Sequence, residues 1–238
     1  MAWALQYDGV NDYLTTNGTV TIASGATFEI EWRGTVPGNF ARAFGDTGGN
    51  NSRLLIFNTS QEVRLTNSTG VNASFTAPTY TKTDYNTFKF VRDASNNVSF
   101  YLNNVLIQTL TLSGSISFNQ IGRNGSGTSV SVGAIEFLRI NIAAAGNVRL
   151  WDATASTHGT GQPVLKDISG YVSATDATGV NFPTDGSAWL DLGAAGTTGT
   201  ITQTASSFTQ SLAGTVVLPN TTGTITQTTG SFTQSLAG

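Results

Sequence analysis

Over the first 145 residues, apolar and polar positions alternate with a period of two. In Phe28-Glu29-Ile30-Glu31-Trp32 the apolar side chains share one face and the glutamates the other, as a half-buried strand requires. The same reading predicts strands at 88–92, 98–102, 105–110 and 135–140, all short and rich in β-branched and aromatic residues. Clusters of Asn and Asp at 93–97 and 103–104 separate them. Both residue types tolerate positive φ and bond their own backbone, so two consecutive hairpins are expected over about 88–112. Asp8-Gly9 marks another tight turn, with Asp12 placed to accept backbone N–H groups. No window shows apolar residues at helical spacing, and the fold class is all-β and antiparallel.

The pattern loosens from Ala143 onward, where Trp151, Phe182 and Trp189 are the expected anchors of a few strands and ordered loops packed on the main body. The end of the chain is a repeat. Residues 197–214 recur as 221–238, offset by 24, and differ only at Ala205/Thr229 and Ser206/Gly230. Each copy alternates like a short hairpin, with Ile201, Phe208 and Leu212 matched by Ile225, Phe232 and Leu236. So few apolar side chains do not offset the ordering entropy of an isolated hairpin, so these six residues are expected to pack on other protein. The stretch 192–238 contains no charged residue, and charge is what usually discourages strand edges from pairing. The expectation is an assembly element and a homo-oligomer, with a trimer favoured.

Charge is scarce throughout. Lys and Arg number 11 and Asp and Glu 14 in 238 residues, 11% of the chain against about a quarter in ordinary domains. A net charge of −3 gives no basic footprint for nucleic acid. No apolar run approaches the roughly 20 residues that a spanning helix needs, and the first residues carry no signal-peptide pattern, so neither membrane insertion nor a Sec leader is expected. With no cysteine and one histidine, disulfides, thiolate sites and His-cluster metal sites are all excluded.

An ordered set of segments points to a family. Leu5 to Leu14, with its Tyr-Asp-Gly and Asp-Tyr, resembles the opening strand and turn of laminin G-like, concanavalin A-like jelly rolls. In the same order, Phe28 to Trp32, Tyr85 to Asp93, the hairpin from Val98 to Ile107, and Ile121-Gly122-Arg123-Asn124-Gly125 resemble later strands and turns of that family. The stretch 143–191 resembles one that accompanies such modules in tailed-phage structural proteins. The resemblance implies a jelly roll over 1–145 and an appended β/loop segment over 146–191, which precede the two hairpin repeats within 192–238.

Four chemistries bear on this frame. Glycoside hydrolysis needs two carboxylates about 5–10 Å apart, and the close pair Glu29 and Glu31 reads as surface-facing instead. A serine hydrolase would need His158, but the chain has no Gly-x-Ser-x-Gly elbow. Calcium at a loop rim is implied by the resemblance, with Asp46 as first ligand. Glycan binding fits the loop chemistry of amides, hydroxyls and arginine, with Asn50, Asn51 and Arg53 in one loop and Arg123, Asn124 and Ser126 in another. The expected function is that of a non-enzymatic virion surface protein, tail fibre or capsid decoration, extracellular, that binds host polysaccharide or other virion subunits. A secreted adhesin or carbohydrate-binding module is the alternative.

Overall fold

The computed structural model describes residues 2–38, 40–47, 52–57, 60–123, 132–142, 147–170 and 176–192. They belong to one compact unit, Met1–Ala194; the remainder, Ala195–Gly238, forms a second unit. The assembly residues Ile201, Phe208, Leu212, Ile225, Phe232 and Leu236 lie outside the described residues, as do Asn50, Asn51, Asn124 and Ser126.

The described elements are all strands, paired antiparallel into two sheets. Sheet A is built from β1 (Trp3–Asp8), β3 (Phe28–Gly34), β8 (Asn86–Arg92), β9 (Asn97–Leu102), β10 (Val105–Thr111), β12 (Val132–Ile142), β13 (Asn147–Asp152) and β16 (Trp189–Asp191). Sheet B holds β2 (Tyr13–Ile22), β4 (Phe40–Gly45), β5 (Arg53–Phe57), β6 (Glu62–Thr66), β7 (Asn72–Thr76), β11 (Ile116–Ile121) and β15 (Ala177–Val180). Strand β14 (Val164–Asp167) pairs with β13 on one side and β15 on the other, and so links the two. Strands from 146–191 thus hydrogen-bond directly to β12, β2 and β1.

The inward residues of the two sheets meet in one core. Phe75 of sheet B lies 5.7 Å from Phe90 and 5.5 Å from Phe100 of sheet A, both at the tilted angles that aromatic quadrupoles favour. Trp151, fully buried, stands edge-on to Phe118 at 6.2 Å, and Phe182 and Trp189 join the same cluster. A buried cation also ties the sandwich together. Arg92 of β8 donates to the carbonyls of Ala23, Ala26 and Gly114, each at 2.8 Å, and lies over the Phe28 ring. Those carbonyls replace the water that a buried guanidinium loses.

The turns follow the residue chemistry. Asn103 and Asn104 have φ of 50° and 68°, the left-handed pair that a two-residue hairpin demands. Asp93 accepts from the backbone N–H of Ser95 and Asn97, and Asp8 from those of Val10, Asn11 and Asp12. At Gly122, φ is 85° and a Cβ would overlap the Tyr7 ring, so glycine is required there. One strand departs from its pattern. The stretch 105–110 is a strand, but β10 ends sheet A, and Val105 and Leu106 are 63% and 55% exposed. A register shift between Leu106 and Gln108 breaks the alternation that predicted a buried face.

Candidate functional site

Cross-strand partners share a face of a sheet, so the register identifies what each sheet turns away from the core. On sheet A the outward residues are charged and matched. Glu29 meets Lys89 at 2.9 Å, Glu31 meets Arg139 at 3.3 Å, and Glu136 meets Arg33 at 2.6 Å. The Glu29/Glu31 pair is therefore surface-facing and held by cations from neighbouring strands, and it is no free acid/base couple. His158 is also committed to structure: its ring stacks on Trp3 at 3.9 Å, meets Trp189 edge-on at 4.9 Å, and Nε2 donates to Ala153 O at 2.6 Å.

Sheet B turns a different surface outward. Leu14 and Ile121 pair facing the core, so the next pair, Thr15 and Gln120, faces away from it. The same row runs on through Gly45 and Arg53 to Thr66 and Asn72. The next outward position along β4 is Arg42, three residues from Gly45, rather than Ala43, because the β4–β5 register shifts there; Arg42 faces Leu55 and then Arg64. Burial and the neighbouring Arg53 push the Arg42 guanidinium down to about 10. Arg64 is balanced by Glu62 at 2.7 Å and covers the Phe57 ring. Past the end of β11, Arg123 lies over the Tyr13 ring at 4.6 Å.

An opening in this face comes from a register shift between β2 and β11. β11 pairs with β2 at Gln120↔Thr15 and again at Phe118↔Val20, so residues 16–19 of β2 stand opposite Asn119 alone. A bulge of this size must leave the ladder, and Gly18 permits it with φ of 96° and open space where a Cβ would sit. The result is a groove of about 250 Å³ lined by Thr15, Thr16, Gly18 and Thr19 on one side and by Thr47, Asn119 and Gln120 on the other. Both walls are fixed internally. The Thr16 hydroxyl donates to Gly18 O at 2.6 Å, while Asn119 exchanges two bonds with Thr47, at 3.0 and 2.7 Å. Every lining side chain is uncharged. Gln120 forms the floor; it is 2% exposed, and among the described residues its Oε1 has no hydrogen-bond partner.

Of the sequence-predicted residues, Arg53 shares the row of Gln120, and Arg123 stands two residues past the end of β11. Asp46 follows β4 and is buried. Among the described residues no three acidic, histidine or cysteine side chains gather as metal ligands, and the loop after Asp46 that was expected to complete a calcium site, residues 48–51, lies outside the described residues. Sequence reasoning missed the groove residues and Arg42. For the groove a signal existed, since Asn17-Gly18 interrupts a Thr-rich strand, and a glycine inside a strand marks bulges.

No family profile and no curated protein matches the sequence. Solved structures do match. A proposed carbohydrate binding protein from Bacteroides ovatus is similar with a TM-score of 0.55 and 16% identity over 75% of this chain, which spans 58% of that protein's length. The mouse laminin alpha1 chain, domains LG4-5, matches with a TM-score of 0.37 and 10% identity over 57% of this chain and 42% of that one. A carbohydrate binding module from Bacillus subtilis matches at 0.32 and 16%, over 50% of this chain and 78% of that one. The described residues of the chain are all-β and antiparallel, and the fold is similar to that of the Bacteroides ovatus protein.

Proposed function

We propose that this body is a non-catalytic carbohydrate-binding module. The observation that carries the reading is the open, uncharged, internally braced groove of hydroxyl and amide side chains on sheet B. Sugars present dense neutral donors and acceptors, and a rigid wall of the same groups binds them without first having to be ordered. The fold shared with a protein proposed to bind carbohydrate supports the same conclusion.

We further propose that the parent protein carries the module on the surface of a tailed-phage virion, as a tail fibre or capsid decoration, where it meets host polysaccharide. The phage-like segment 143–191 and the uncharged repeats support this placement. A glycan array probed with and without calcium tests the binding. Retention of a hydroxyl-rich glycan is expected, and a blank array under both conditions would sink the carbohydrate reading. Light scattering on the full chain and on a deletion of 195–238 tests assembly: the full chain should form an oligomer, a trimer, and the deletion should weaken it. A monomer in both cases removes the assembly role.

A further inference from the structure

Resting on that carbohydrate reading, we infer that the β2–β11 groove is a single-residue sugar subsite and that Gln120 is its specificity-determining contact, accepting a hydrogen bond from one sugar hydroxyl. The volume sets the ligand size. At about 250 Å³ the groove falls just below the roughly 300–1,000 Å³ of drug-sized pockets, room for one pyranose ring rather than an extended chain. The lining sets its charge. With only hydroxyls, carboxamides and a glycine at the wall, nothing balances a carboxylate or ammonium seated inside, so the ring is neutral.

The floor sets its chemistry. Thr16, Thr47 and Asn119 already hydrogen-bond one another or nearby backbone, whereas Oε1 of Gln120, a residue that lines the groove, is buried with no partner among the described residues. A buried acceptor left unmatched is destabilising. A soft rotation of the terminal amide torsion brings that oxygen to the groove, where a ring hydroxyl supplies the missing donor. The site is therefore built to read a hydroxyl, and such sites reject the analogue that lacks it far better than apolar pockets reject an added group.

The test uses the full chain, the methyl glycosides of glucose, galactose, mannose and N-acetylglucosamine, and the monodeoxy series of whichever binds, followed by calorimetry. In the unaltered chain one deoxy position should lower affinity about tenfold, and in Gln120→Leu that discrimination should vanish, since the group reading the hydroxyl is gone. Thr19→Trp, which fills the groove from an exposed position and leaves Gln120 in place, should abolish binding. Thermal melts of both variants confirm an intact fold. If a sugar retained by the array binds both variants as it binds the unaltered chain, the groove is not the subsite and this inference falls while the carbohydrate function stands. Loss of all binding in Gln120→Leu with discrimination unchanged in Gln120→Asn would also overturn it, because the shorter amide cannot reach the same hydroxyl. A blank array defeats both.

Discussion

The outward faces of the two sheets are both built from antiparallel strands and end chemically opposite. On sheet A each of three glutamates meets a lysine or arginine on an adjacent strand, so the row is satisfied by folding itself. On sheet B the corresponding row runs from threonine through glutamine and glycine to arginine, and a bulge opens a groove across it. The difference teaches where an outside partner fits. Matched charges leave little for a ligand to improve, while a braced, uncharged groove with an unmatched acceptor gains by being filled.

Removing what both faces share should have the largest effect. Trp151 is fully buried and lies beside Phe118, under sheet B, while its own strand pairs in sheet A. Trp151→Ala should lower unfolding free energy by about 3–5 kcal/mol, read as a drop in the urea midpoint. A loss under about 1 kcal/mol would show that the sheets do not depend on this contact.

A second prediction addresses the turn by which the chain passes from sheet A to sheet B. Asp12 is buried there, accepts the Asp8 N–H at 3.0 Å, and has no partner for Oδ1 among the described residues. Burial, helped by the Asp8 carboxylate, pushes its pKa up to about 6. A carboxyl whose pKa is higher folded than unfolded holds its proton in the native state first. Its contribution to stability is full below about pH 4 and is lost as pH rises through about 6. Asp12→Asn should therefore gain on the unaltered chain by about 2–3 kcal/mol between pH 4 and pH 7.5. Parallel stability profiles of the two proteins over that range would refute the assignment.

How much of this was written in the sequence differs between the two faces for a physical reason. Alternation is local, so Phe28 to Trp32 and the hairpins at Asn96 and Asn103 could be read directly, and the turn residues adopt the backbone their chemistry favours. The groove depends on how Thr15 to Val20 align with Phe118 to Gln120, about a hundred residues later, and register of that kind is fixed by the folded sheet. Gly18 hinted at a bulge but could not say what would face it. The closeness of Arg42 and Arg53 arises the same way, from a register shift between β4 and β5. The alternation over 105–110 identified a strand correctly and its burial wrongly, because an edge position is a property of the whole sheet.

A smaller effect isolates the bulge. Thr16→Val removes the hydroxyl that bonds Gly18 O and closes the loop, at a cost of about 1 kcal/mol in stability. Sugar binding should weaken with it, since residues 16–19 form one wall. Unchanged affinity would mean that the wall holds its shape without this bond.

The smallest effect belongs to sheet A and completes the contrast. Lys89 and Glu29 are each about a quarter to a third exposed at the side chain, at 26% and 30%, so water screens their attraction and replaces it when one partner is removed. Lys89→Met should change stability by no more than about 0.5 kcal/mol, and the difference should shrink further in 1 M salt. Sugar affinity should not change at all, because the opposite sheet carries the groove. A loss of glycan binding in this variant, with the melt unaltered, would place a ligand contact on the ion-paired face and reverse the assignment of the two faces.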